Sequence, residues 1–126
     1  MYLGQAFKRI CCEVLVKMAK RNLFSVQVEK IGKWWWKETE IDLLGLEKKE
    51  NRALAVEVRW TNLDYHESKR LISELTAKAQ QIHNVKESIS GIMAKKIENK
   101  DKIRSEGFIA IDLQDIGERQ RMKSQN

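Results

Sequence analysis

The run EIDLLGLEKKENRALAVEVRW, residues 40–60, constrains the fold of this chain more than any other stretch. Two apolar segments, residues 40–46 and 53–60, flank the polar connection E-K-K-E-N, which has the length of a hairpin loop. A turn centred between Lys49 and Glu50 sets Asp42 directly opposite Glu57, with Cβ atoms about 4.5–5.5 Å apart. Side chains alternate along a strand, so Glu40 and Asp42 should share a face with Glu57 and Arg59, while Ile41, Leu43, Val56, Val58 and Trp60 point the other way. Carboxylates facing each other across a ladder are destabilising unless something positive lies between them. A hard cation such as Mg²⁺ does this with one or two carboxylates and waters, which makes Asp42 and Glu57 candidate metal ligands. The plainer alternative is a charged, solvated sheet face, and spacing alone does not separate the two. A one-residue slip in register would abolish the convergence.

The rest of the chain supplies the layers around this hairpin. Leu3, Phe7, Ile10, Cys11, Val14, Leu15 and Met18 recur at spacings of three and four, the period of an amphipathic helix over residues 3–20, with Asn22 as a stop signal. In residues 25–31, Val26 and Val28 alternate with Gln27 and Glu29, which predicts a half-buried strand before a bend at Gly32. Asn62 and Asp64 are turn and capping residues for a second helix over residues 65–82, with Leu71, Ile72, Leu75, Ala79 and Ile82 on one stripe. Two short strands, residues 89–97 and 107–111, follow, with the charged loop E-N-K-D-K between them. A short helical turn from Asp112 then leads into a polar basic end expected to fray over residues 118–126. The predicted order is αβββαββ with a short C-terminal helix. At 126 residues and 42% hydrophobic, the chain is expected to be a single domain over residues 1–126.

Lys and Arg number 24 against 18 Asp and Glu, a formal charge of +6. That excess suits a polyanion such as nucleic acid, although it serves solubility equally well. Lys33 and Lys37 flank three tryptophans, and cations beside aromatic rings are a common grip on nucleic-acid strands, so Lys33, Trp34, Trp36 and Lys37 are candidate contacts. Alternation sends Trp35 opposite to Trp34 and Trp36, so one of these sides should pack in the core under the first helix. Lys69, Arg70 and Lys78 on the second helix are further candidates for phosphate contact, against the plainer reading of a solvated charged face. His66 and His83 lie about 25 Å apart by helical rise, too far to share a metal. Cys11 and Cys12 are adjacent and alone, without zinc spacing or a disulfide framework, which fits a reducing compartment. No apolar run approaches the ~20 residues of a membrane span and no signal-peptide order is present, so a cytoplasmic protein is expected.

Taken in order, these motifs resemble a known family. The segments G-Q-A-F-K-R-I-C-C-E-V-L, I-G-K-W-W-W-K-E-T-E-I-D-L-L and A-V-E-V-R-W are similar to the nuclease-like domain that ends many archaeal AAA-type ATPases, within the PD-(D/E)XK nuclease superfamily. The likeness covers about residues 3–115. It implies an α/β, restriction-endonuclease-like sandwich with a mixed central sheet of about five strands flanked by helices. Position by position, Asp42 matches the metal-binding Asp, Glu57 the Glu of the ExK motif and Arg59 its Lys. The implied catalytic set is Asp42, Glu57 and Arg59, with Mg²⁺ or Mn²⁺ held by Asp42 and Glu57. The implied partners are DNA and an AAA-type ATPase module, with no membrane; a homodimer stays open. Because relatives continue upstream into the ATPase just where Met1 falls, the chain is expected to be either a fragment or a stand-alone offshoot.

The chain departs from the family pattern twice. Relatives carry Glu after G-x-x-F, whereas Phe7 here is followed by Lys8. Glu13, five positions on, faces roughly 140° away and is no substitute. The second departure is Arg59, which keeps a positive charge but cannot release a proton near neutral pH or stand where a compact ammonium would. The implied function is a DNA-binding nuclease-like domain, with metal-dependent phosphodiester hydrolysis weakened by Lys8 and Arg59. The alternative is a catalytically degenerate nuclease fold that serves DNA binding or docking to an ATPase.

Overall fold

A computed structural model of the chain describes residues 3–47 and 49–124. Its elements are α1 (Leu3–Lys20), β1 (Ile31–Trp36), β2 (Thr39–Glu47), β3 (Arg52–Leu63), α2 (Tyr65–Ala79), β4 (Glu87–Ile97), α3 (Lys100–Ser105), β5 (Ile109–Asp112) and α4 (Leu113–Ser124). The hairpin has the expected register, since β2 and β3 pair antiparallel from Leu43↔Val56 to Glu47↔Arg52. Asn51 closes its turn in the left-handed region at φ 56°, a conformation asparagine tolerates better than most residues.

β1 pairs antiparallel with the outer edge of β2, whereas β3 pairs in parallel with β4 and β4 with β5. The sheet therefore reads β1-β2-β3-β4-β5 and is mixed. Parallel neighbours need a crossover, and α2 and α3 provide the two. β4 and β5 approach so closely that a Cβ at Gly91 would collide with the side chain and backbone of Ile109, so glycine is required there. Central strand β3 is buried along most of its length, as expected of a strand covered on both faces.

On one face, Phe7, Cys11, Val14 and Leu15 of α1 and Ile116 of α4 pack on Leu43, Leu54, Val56, Val58 and Met93. On the other, Leu75 and Ala79 of α2 cover Ile41, Leu44, Ala53 and Ala55, and Leu71 and Ile72 with Ile103 of α3 cover Ile92 and Ala110. Each fully buried Leu, Ile or Phe contributes about 1.5–3 kcal/mol, so these layers are the main source of cohesion. Asp64 caps α2 in a reciprocal capping box with Glu67. Asp112, at the end of β5, accepts the Ile97 N–H at 3.1 Å and the Lys100 Nζ at 2.9 Å, tying both crossover ends together. No helix among the described residues is long and apolar enough to cross a membrane.

Three expectations need correction. Residues 25–30 are irregular, and the outer strand is the aromatic run Ile31–Trp36, with Gly32 inside it. Val26 is nonetheless 2% exposed and Val28 packs on the α1-side cluster, so their alternation reported burial without backbone pairing. The charged segment after β4 is helix α3, held by the fully buried Ile103, which makes the order αβββαβαβα. The C-terminal segment expected to fray from residue 118 continues as helix α4 to Ser124, and residues 125–126 lie outside the described residues.

Candidate functional site

The sheet forks where its charges gather. Beyond Leu43↔Val56, β2 keeps pairing with β1 alone and β3 with β4 alone, so the two hairpin strands part. A β-bulge causes the divergence: between the pairs Gly32↔Leu44 and Trp34↔Ile41, Lys33 of β1 faces both Asp42 and Leu43 of β2. The bulge breaks the alternation expected from sequence. Ile41 and Leu44 both pack on the α2 side, whereas Leu43 packs on the α1 side, so Ile41 and Leu43 do not share a face.

Asp42 lies in the bulge and bridges the fork. Its Oδ2 accepts the Val58 N–H at 2.9 Å, which satisfies a backbone donor just past the end of the β2–β3 ladder. Its Oδ1 accepts Lys8 Nζ at 3.0 Å, so α1 contributes a cation to the fork. Glu57 follows Ala53 and Ala55 along β3, and its Oε2 accepts Arg59 Nη2 at 2.9 Å. Its carboxyl lies within hydrogen-bonding reach of that of Asp42 when one of the two carries a proton. The two acids thus meet across the fork instead of standing side by side on one face of a continuous hairpin.

Their titration follows from this geometry. Burial, then the hydrogen bond and negative charge of Asp42, push the Glu57 carboxyl up to about 7, although Arg59 and Lys78 pull the other way. For Asp42, burial alone would raise the carboxyl. Hydrogen bonds from Glu57, the Val58 N–H and Lys8 outweigh it and hold the group below the usual carboxylate range. Near neutral pH the pair therefore tends to share one proton, carried on Glu57. Lys8, Arg59 and Lys78 surround it in an open cleft of about 360 Å³, with Glu40 at its edge. Glu40 is matched by Lys33 at 2.6 Å, which leaves the cleft with a cationic balance. Trp60 forms part of the wall, packed on Phe7 with ring centroids 5.0 Å apart and with Lys95 over its ring at 5.3 Å.

This donor set offers a divalent metal two carboxyls, Asp42 and Glu57, whose oxygens are largely engaged already. Among the described residues no three His, Cys, Asp or Glu side chains are grouped to hold one. Both Asp42 oxygens and one Glu57 oxygen are already accepting hydrogen bonds, and the Lys8 ammonium stands where the family pattern has a carboxylate.

Of the residues singled out from sequence, Asp42, Glu57 and Arg59 converge, and Lys78 joins them from α2. Of the other candidate nucleic-acid contacts, Lys33 pairs with Glu40 at the edge of the cleft, and the rest lie apart from it. Trp34 is half-buried against the α2-side core, not under α1. Trp36 stands at the hairpin tip with Lys37 over its ring at 4.4 Å. Lys69 sits over the Phe108 ring and pairs with Glu106 at 3.5 Å, and Arg70 pairs with Glu74 at 3.1 Å. Trp35, which the sequence left as either a base-stacking ring or a core residue, is 67% exposed and is the register partner of Glu40. Only the pairing register reveals that position, because the bulge upstream is not legible in the chain. Burial pushes the Cys11 thiol up to about 12, which makes it an inert core residue.

A mixed sheet forked at two carboxyls, ringed by cations and flanked by helices on both faces, defines a nuclease-like fold of the restriction-endonuclease sandwich class. The crystal structure of a repair endonuclease from Pyrococcus abyssi is similar over 90% of this chain and 48% of that one, with a TM-score of 0.50 and 13% identity, a likeness of fold. Residues 1–71 match the family described as archaeal and bacterial proteins of unknown function (DUF234), and the chain belongs to that family. The uncharacterized protein MJECL04 of Methanocaldococcus jannaschii is 33% identical over 116 residues, which are 91% of this chain and 26% of that protein. The chain therefore spans about a quarter of that relative's length.

Proposed function

We propose that this domain grips the phosphate backbone of DNA in the forked cleft and cuts it weakly or not at all, as a nuclease-like fold whose metal position has been taken over by an internal cation. The observation that carries this reading is the Lys8 Nζ to Asp42 Oδ1 contact of 3.0 Å. Two opposed carboxyls need positive charge between or beside them, and here Lys8 and a shared proton meet the need. Hydrolysis of a phosphodiester near neutral pH calls for an activated water and for stabilisation of the charge built up on the phosphate. Lys8, Arg59 and Lys78 can supply the second. Arg59 cannot accept the water's proton, and Glu57 is engaged with Asp42. Binding therefore survives where turnover does not. Attachment to an AAA-type ATPase, implied by the family resemblance, is compatible with this role.

The test is fluorescence anisotropy with labelled DNA across a salt series, beside a cleavage assay with Mg²⁺ and Mn²⁺. Three phosphate-facing cations give a slope of log affinity against log salt of about −2 to −3. Calorimetric titration with either metal should show no specific heat for the natural chain and a measurable isotherm for Lys8→Glu. Robust Mg²⁺-dependent cutting by the unaltered chain would overturn the reading.

A further inference from the structure

We infer that the nucleic acid taken by this cleft is an unpaired strand, with one base stacked on Trp35. The inference rests on the phosphate-binding reading above and adds the structural class of the ligand.

Trp35 and Glu40 are register partners, and directly opposed residues in an antiparallel pair project to the same side of the sheet. Glu40 edges the cleft, and the Cβ of Trp35 stands one cross-strand spacing, about 5 Å, from the Cβ of Glu40. The neighbouring tryptophans are committed elsewhere. Trp34 opposes the fully buried Ile41, and Trp36 opposes Thr39, whose hydroxyl bonds Gln81 just beyond α2. Lys37 and Lys95 lie over the rings of Trp36 and Trp60, while no cation among the described residues covers Trp35. A ring 67% exposed opposite the edge of a cleft lined by three cations is the pairing of π-face and positive charge that holds single strands, since every base has a face to stack and every nucleotide a phosphate. In a duplex the base faces are already stacked within the helix.

The experiment compares a labelled single-stranded 12-mer with its duplex, by anisotropy at about 50 mM salt. The natural chain should bind the single strand more tightly. Trp35→Ala should weaken single-strand binding at least about fivefold, the lower end of what one stacked base contributes, and leave duplex binding within twofold. Trp35→Phe should restore most of the loss, and Trp36→Ala, on the opposite side of the strand, should change little. Arg59→Gln should weaken both ligands alike, because it tests the phosphate grip alone. If Arg59→Gln acts and Trp35→Ala does not, the stacking inference fails while the proposed function stands. If neither oligonucleotide binds, both fail. A change in sedimentation behaviour with Trp35→Ala, without a change in affinity, would assign the ring to contact between two copies of the chain and overturn the inference.

Discussion

Replacing Glu57 with Gln should stabilise the protein in a strongly pH-dependent way, because the natural carboxyl is buried and faces Asp42. The Glu57 carboxyl is raised from 4.5 to about 7, chiefly by burial and then by Asp42. A raised acid favours the folded state most while it is protonated. Its contribution is complete below about pH 4.5 and is lost as the pH rises through about 7. At about 1.4 kcal/mol per pH unit, the loss amounts to about 3 kcal/mol, a figure that applies to a side chain only 10% exposed. Gln does not titrate, matches Glu in volume, can donate to Asp42 as the protonated acid does, and can still accept from Arg59. Urea unfolding of both proteins at about pH 4.5 and pH 8.5 isolates the effect, since Asp115, Glu47 and the other titrating groups are common to both. The stability difference between variant and natural chain should grow by about 3 kcal/mol between the two pH values, equivalent to roughly 10 °C in Tm. An unchanged difference would refute the convergence of Asp42 and Glu57 on which the site rests. The same logic extends to metals: Mg²⁺ at pH 8.5 should leave the natural chain's midpoint where it is and raise that of Lys8→Glu.

Asp42→Ala should cost about 1–3 kcal/mol near pH 5, because the Val58 N–H loses its acceptor. The half-exposed Lys8 pair adds little, and the cost should shrink at pH 8.5 as Glu57 is relieved of its neighbour. Gly91→Ala should destabilise by at least about 1–3 kcal/mol in the same unfolding assay, since the added methyl meets Ile109 with no room to move. Lys8→Glu combined with Arg59→Lys returns a carboxylate and a compact ammonium to the fork, and Mg²⁺-dependent nicking of supercoiled plasmid should rise above that of the natural chain. No gain in the folded double variant would mean that more than these two residues separates the fork from a working nuclease centre.

Much of the architecture is written along the chain. The apolar spacing of α1, the Asp64 cap, the stripe of α2 and above all the symmetric loop around Lys49 and Glu50 are local signals, set by helical period, turn chemistry and strand alternation. They suffice to put Asp42 and Glu57 next to each other. What they cannot convey is a change of alternation. The bulge at Asp42 and Leu43 parts β2 from β3 while β2 keeps pairing with β1, and it moves Ile41 to the α2 face and sets Trp35 opposite Glu40. Likewise, Val26 is buried without pairing, and a charged segment becomes α3 because two parallel strands need a crossover. The character of the site is tertiary in the same sense. Lys8 is legible as a departure from a pattern, but its ammonium meets a carboxylate 34 positions away only because α1 packs across the mouth of the fork. Sequence thus determines which charges lie near the hairpin, through local periodicity. The packing of a helix against a forked sheet decides which of them touch, and so whether the fork holds a metal or a lysine.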